Sequence, residues 1–212
     1  MLRLLLFALI LAGGASTPIL EVVEEAPPAA VSDGIRPTLS EQLFRIRLEG
    51  DSTAEFWFRE EMPVSEGRQG GLGVNFRVFE EGALLGVVRL SDQWRDYKNK
   101  PVKAGVYCLR YATQPADGDH TGSTFYRDFL LLLPAATDQD PEAQLTLRQL
   151  VDLSRKASGT THPAVMGLFP VWELPDQNSV LKNELDQPML VLKRGDLALG
   201  LVLSGHGEIE GY

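Results

Sequence analysis

The sequence predicts an all-β fold, a two-sheet β-sandwich with one short helix, behind an N-terminal signal peptide. Short segments alternate apolar and polar residues, which is the pattern of half-buried strands. Turns that contain Gly or Pro separate these segments, as they do in sandwiches. A single segment has apolar residues at helical spacing. A small closed barrel is the alternative arrangement of the same strands.

The composition of residues 1–16 is typical of a signal peptide. Arg3 provides a basic start, residues 4–12 carry no charge, and residues 13–16 are small enough for a signal peptidase. The uncharged run is too short to cross a bilayer, which needs roughly 20 apolar residues. We therefore expect cleavage near Ser16, a secreted or periplasmic protein of the bacterial envelope, and no transmembrane segment in the mature chain.

A flexible spacer is predicted over residues 17–40. Pro27 and Pro28 lie between alanines there, and large apolar side chains are few. Burial of such a composition does not offset the entropy lost when the chain is ordered. The β-sandwich domain is accordingly predicted over residues 41–212.

The strands are predicted from alternation and from turns. Phe44 and Ile46 share one face of the first strand, whereas residues 129–133 are apolar on both faces, as in a central strand. Gly82 and Gly195 lie in short polar turns and each predicts a hairpin. The predicted strands are residues 43–48, 54–58, 74–79, 84–90, 106–111, 129–133, 189–192 and 197–203.

One helix is predicted over residues 147–157. Thr146 followed by Gln149 three residues later is the signature of a capping box, in which each residue caps the other's backbone. Gly159 follows the last apolar position and can adopt the left-handed conformation that ends a helix. We expect this helix to cover an end or an edge of the sheets.

Charge excludes some classes of partner. The chain has 20 Lys and Arg against 29 Asp and Glu, a formal net charge of −9. Nucleic acid and anionic membrane surfaces need clustered basic residues, so neither is an expected partner. Cys108 is the single cysteine and cannot form an intrachain disulfide; we expect a small buried side chain.

A polar loop supplies the predicted metal site. Asp117, Asp119 and His120 lie within four positions, and Asp128 or His162 could complete the set of ligands for a divalent metal. Zinc or manganese would accept the imidazole, whereas calcium prefers oxygen. The alternative is a polar turn in which the two aspartates of the loop accept backbone N–H groups.

Exposed aromatic rings are the second candidate site. Tyr107 and Tyr111 share one face of a strand and point outward if the other face is the core. Trp94 lies among polar residues, which favours exposure, so these three rings are the predicted ligand-binding residues for a sugar or a peptide. The alternative is that aromatic side chains fill the core. The other rings considered are Trp57, Tyr97, Phe125, Tyr126 and Trp172.

The middle of the domain resembles a group of uncharacterised secreted bacterial β-rich proteins, a domain of unknown function. The resemblance lies in residues 103–111 (KAGVYCLRY), 114–115 (QP), 117–120 (DGDH) and 126–129 (YRDF). It implies export and a β-rich fold. It implies no activity.

No motif for a known chemistry is present: the chain lacks a nucleophile elbow, a phosphate-binding loop and a paired-cysteine zinc motif. We therefore predict a non-enzymatic secreted or periplasmic binding or accessory protein, without a cofactor, for an envelope ligand or protein that the sequence does not identify. The alternative is a metal-binding protein or metal-dependent enzyme centred on the Asp117–His120 loop.

Overall fold

Strands make up most of the ordered structure. The computed structural model describes residues 18–48, 52–65, 71–91, 94–115 and 126–205. These residues form ten strands and one α-helix, α1 (Leu147–Ser158). The strands are β1 (Ile19–Glu24), β2 (Leu39–Arg47), β3 (Thr53–Arg59), β4 (Leu84–Leu90), β5 (Gly105–Thr113), β6 (Asp128–Pro134), β7 (Val165–Pro170), β8 (Ser179–Lys182), β9 (Pro188–Arg194) and β10 (Leu197–Val202).

The strands form one antiparallel sheet in the order β1-β2-β3-β4-β5-β6-β7-β10-β9-β8. Its two edge strands, β1 and β8, approach each other, so the sheet is nearly closed. The predicted all-β class with one helix is confirmed. The division into two packed sheets is not shown, because each strand is hydrogen-bonded into the same sheet.

Both faces of the sheet are buried over most of its width. Phe56 and Phe58 of β3 lie in an inner cluster, to which every strand contributes, and Trp57 between them lies in an outer cluster. The strict alternation of side chains along a strand explains this division. β6 lies in the middle of the strand order and is buried on both faces, as predicted for residues 129–133.

Long connections cover the two ends of the inner cluster. Phe76 and Phe79 come from the connection between β3 and β4, and Trp94 and Val102 come from the connection between β4 and β5. In an antiparallel meander, successive connections lie at opposite ends of the sheet. The inner cluster is therefore covered by aromatic side chains at both ends.

The helix covers part of the outer face. Thr146 and Gln149 form the predicted capping box, and Gly159 ends the helix with φ of 67°. α1 packs against β6, and Leu150 is fully buried in the outer cluster. The prediction of residues 147–157 as a helix is confirmed to within one residue, because its start and stop signals are local.

The prediction of a flexible spacer over residues 17–40 is wrong for the described part of that segment. β1 pairs with β2 over six consecutive residues, from Ile19 opposite Arg47 onward. Val31 and Ile35 are buried in the outer cluster. The few apolar side chains of this segment are enough because a partner strand and a ready-made apolar surface offset the entropy of ordering them.

Residues 74–79, predicted as a strand before Gly82, do not form one. The backbone N–H groups of Asn75 and Phe76 donate to the Asp128 carboxylate instead of to a neighbouring strand. The second predicted hairpin is confirmed: β9 and β10 pair on either side of Gly195, whose φ is 59°.

The predicted signal peptide, residues 1–16, lies outside the described residues, so export stays a prediction. Within the described part of the chain, no helix combines the length and hydropathy needed to cross a membrane.

Candidate functional site

The predicted metal loop is only partly described. Asp117, Asp119 and His120 lie outside the described residues, so their role stays a prediction. Asp128 and His162 are described, and the structure places each of them. Among the described residues, no group of three or more His, Cys, Asp or Glu side chains is arranged to hold a metal ion.

Asp128 is fully buried at the start of β6, and both of its oxygens are hydrogen-bonded. Oδ2 accepts from the backbone N and the side-chain Nδ2 of Asn75, at 2.8 and 3.2 Å. Oδ1 accepts from the Phe76 backbone N at 3.1 Å and from the Tyr111 hydroxyl at 2.6 Å. The three bonds from Asn75 and Phe76 hold the β3–β4 connection over the end of the sheet, and the fourth joins Asp128 to β5.

His162 lies at the other end of the same strand pair. Leu131 of β6 is opposite Val165 of β7, so the antiparallel register places His162 near the end of β6. About six residues of strand separate it from Asp128, which corresponds to roughly 20 Å. The structure therefore does not bring Asp128 and His162 together, so a metal site on the loop could use at most one of these two residues.

The predicted exposure of Trp94, Tyr107 and Tyr111 is wrong. Trp94 is 1% exposed and both tyrosines are buried in the inner cluster. The Tyr107 hydroxyl donates to the Lys103 carbonyl at 2.7 Å. A stacking platform needs free ring faces, which these three rings lack. For the two tyrosines the prediction failed because both faces of β5 are covered, not one.

Asp96 explains why the polar segment around Trp94 folds inward. Its carboxylate is buried and accepts backbone N–H groups of Lys98, Lys100 and Val165, at 2.9, 2.8 and 3.2 Å. Burial raises the pKa of the Asp96 carboxyl, although these hydrogen bonds act against the rise. The turn is therefore tied to β7, and Trp94 is held under it.

Cys108 is buried, as predicted. Burial, with the nearby Asp138 carboxylate, raises the pKa of its thiol well above the ordinary value. Arg110, two residues along, is fully buried and makes a two-bond pair with Asp138 at 2.7 and 2.8 Å. It also donates to the carbonyls of Gly82 and Asp140. This arginine holds two connections against the sheet and leaves the thiol unactivated.

A groove on the outer face of β8 and β9 is the strongest candidate site. Ser179 and Leu181 of β8 lie opposite Val191 and Met189 of β9, respectively, and line the groove. Their neighbours Val180 and Leu190 pack into or against the inner cluster, as alternation requires. The groove has a volume of about 480 Å³, within the range of ligand pockets, roughly 300–1,000 Å³.

The connection between β7 and β8 forms the other wall of this groove, which we call the Trp172 groove. Val171 packs against the outer cluster, and Asn178 accepts the Lys193 backbone N–H at 2.7 Å, so both ends of the connection are attached. Between these attachments, Trp172 is 78% exposed and Leu174 is 48% exposed. Both line the groove.

Three exposed apolar side chains therefore line the Trp172 groove. Leu181, 44% exposed, faces the same groove as Trp172 and Leu174. Single exposed apolar residues are ordinary on protein surfaces, but a cluster around a concave site is typical of binding surfaces. The sequence did contain a signal: two prolines, Pro170 and Pro175, bracket Trp172, and such a segment cannot continue a strand.

The electrostatics of the groove are acidic. Glu173 and Asp176 line it and are exposed, and they form no ion pair among the described residues. No Lys, Arg or His of the described chain lines it. The groove thus combines an exposed aromatic ring and aliphatic walls with two uncompensated negative charges.

A second, smaller cavity of about 220 Å³ lies beside the β3–β4 connection. Its cations are already paired: Arg59 with Glu142 at 2.8 Å, and Arg110 with Asp138. An anionic ligand would have to compete with these internal carboxylates. The Trp172 groove carries no such internal partner and is the better candidate.

Comparison with known proteins identifies no relative. No protein-family model, no curated protein and no solved structure matches the chain. The resemblance to secreted bacterial β-rich proteins stays a prediction. The case for a function therefore depends on the geometry of the described residues.

Proposed function

We propose that this chain is an exported, non-enzymatic binding protein of the bacterial envelope, and that the Trp172 groove is its ligand-contacting surface. Export is supported by the composition of residues 1–16. The observation that carries the proposal is the convergence of Trp172, Leu174 and Leu181, all exposed, on one groove.

The energetic argument concerns water. An exposed tryptophan and two exposed leucines leave apolar surface in contact with water. Burying that surface against a ligand makes the free energy of binding more favourable by roughly 25 cal/mol per Å². The groove floor needs little rearrangement, since Met189 and Val191 are held in the β8–β9 ladder. A preformed concave apolar site of this kind binds with a small ordering cost.

The test is a binding screen on two panels, soluble envelope saccharides and synthetic peptides, with wild-type protein and Trp172→Ala. Leu72→Ala is the matched control, because Leu72 is 94% exposed and does not line the groove. We expect at least one ligand that binds wild type and Leu72→Ala but loses at least about tenfold in affinity with Trp172→Ala. If every ligand found binds Trp172→Ala as well as wild type, or if none is found, the proposal is wrong.

A further inference from the structure

We propose that the ligand of the Trp172 groove is an extended peptide segment of a partner protein, with apolar side chains in the groove and Lys or Arg beside them. This inference rests on the proposed function, since it names the chemistry of the ligand at the same site. Three features of the described residues support it: the spacing of the groove floor, the edge of β8 that has no hydrogen-bonded partner strand, and the charge of the rim.

The floor of the groove has the repeat of an extended chain. Ser179 and Leu181 are two residues apart on β8, as are Val191 and Met189 on β9. Alternate residues of a strand are about 6.6–6.8 Å apart, and alternate side chains of an extended peptide have the same spacing. A peptide lying along β8 can therefore place successive same-face side chains over successive floor positions.

β8 also offers backbone groups to a peptide. It is the last strand in the sheet order and pairs with β9 alone; its other edge approaches β1, but no hydrogen-bonded ladder joins these two strands in the described structure. Free strand edges bind extended peptides through main-chain hydrogen bonds, and adjacent side-chain pockets then supply specificity. A small molecule or a sugar would leave this edge unused.

The rim selects positive charge. Glu173 and Asp176 contribute two negative charges to the groove, and none of the described Lys, Arg or His residues lines it. Lys182, at the end of β8, is paired with Asp186 at 2.9 Å. Lys193 lies two residues beyond Val191 on β9 but does not line the groove. A Lys or Arg of the peptide can form ion pairs with both carboxylates and a cation–π contact with the exposed face of Trp172.

The experiment compares three capped peptides with identical Phe and Leu residues and with Lys, Gln or Glu at both ends. Affinity is measured by calorimetry and by Trp172 emission, which is informative because Trp57 and Trp94 are buried. We expect the Lys peptide to bind about fivefold more tightly than the Gln peptide and the Glu peptide to bind more weakly than both. This preference should shrink as salt rises from about 0.1 to about 1 M.

The variant Glu173→Gln/Asp176→Asn should remove the preference and leave binding of the Gln peptide unchanged. Glu24→Gln/Glu41→Gln is the matched control, since it removes two exposed carboxylates that lie outside the groove. This control should keep the preference, which excludes an effect of net charge alone.

The outcomes separate this inference from the proposed function. Equal affinity for all three peptides, lost in Trp172→Ala, overturns the charge selection and leaves the binding function in place. A ligand that depends on Trp172 and comes only from the saccharide panel overturns the peptide inference. Absence of any ligand that depends on Trp172 overturns both.

Discussion

At the scale of single residues, buried polar side chains determine where connections lie. Asp128 accepts four hydrogen bonds and holds the β3–β4 connection, and Arg110 donates to Asp138 and to backbone carbonyls. A buried charge is tolerated when its hydrogen-bonding groups are satisfied, and removing one partner leaves the others unpaired. These residues are therefore structural.

We expect Asp128→Asn to destabilise the fold by about 3 kcal/mol, because the amide NH2 replaces one of the two oxygens and then faces the backbone N–H of either Asn75 or Phe76. Tyr111→Phe removes only one of the four bonds and should cost about 1.5 kcal/mol. Urea unfolding followed by circular dichroism measures both. Equal stability of Asp128→Asn and wild type would show that these bonds contribute nothing to stability.

Trp172 is exposed, whereas the other two tryptophans are buried. We expect Trp172→Phe to remove most of the emission that acrylamide quenches, because Trp57 and Trp94 are shielded in the core. The folding free energy should change by less than about 0.5 kcal/mol, as for most surface substitutions. Acrylamide quenching of the emission of Trp94→Phe provides the comparison, and this variant should keep the quenchable emission. If that variant instead loses the quenchable emission, Trp94 is the exposed ring.

At the scale of elements, charged side chains tie four strands together on the outer face. Arg45 of β2 is 3.1 Å from Glu21, 2.9 Å from Glu25 and 2.7 Å from Glu55. Arg89 of β4 donates to Glu55 and lies 3.5 Å from Glu25. This network fastens β1, the edge strand, to the strands beside it.

The network predicts a dependence of stability on pH. Burial would raise the pKa of the Glu55 carboxyl, but hydrogen bonds from Arg89 and Arg45 outweigh burial and hold that pKa below its ordinary value of 4.5. A lowered carboxyl pKa stabilises the fold at pH above 4.5, and this contribution is lost as pH falls. The ionised carboxylate thus favours the folded state at neutral pH.

We therefore expect Glu55→Gln to be less stable than wild type by about 1 kcal/mol at neutral pH. The difference should narrow as pH falls through the acid range, which thermal melts across pH measure. Glu41→Gln is the control, since that exposed carboxylate has no ion pair among the described residues. A difference that is independent of pH would assign the effect to packing rather than to charge.

At the scale of the whole molecule, the sheet depends on its edge strands for closure. β1 covers β2, and the carbonyl of Glu25 accepts the indole N–H of Trp57 at 2.7 Å. Removing this strand would expose the edge of β2 and the outer side of Trp57. Exposed strand edges pair with other chains, so aggregation is a second consequence.

A chain that begins at Ala26 should melt about 10 °C lower than one that begins at Pro18, because it loses the β1–β2 ladder and the ion pairs to Arg45. Light scattering should also show larger particles on heating. If residues 17–40 were a flexible spacer, as composition predicts, removing residues 18–25 would leave the melting temperature unchanged. Equal melting temperatures of the two chains would therefore contradict a stabilising role of β1.

Local signals in the sequence were enough for several features. The capping box of Thr146 and Gln149, the glycine at 159 and the hairpin at Gly195 depend on residues close together in the chain, and all three were predicted. The alternation along the first predicted strand likewise predicted that Phe44 and Ile46 share a face, and both lie in the inner cluster. The metal loop lies outside the described residues and stays a prediction.

Exposure was decided by the tertiary structure. Trp94 has polar neighbours yet is buried, because Asp96 ties its segment to β7. Trp172 follows three apolar residues, 169–171, yet is exposed, because no described segment covers the β7–β8 connection. By itself the sequence determined the strand and helix types, through short-range periodicity and caps. Only the folded chain decided which rings meet water, since that depends on contacts between residues far apart in the sequence.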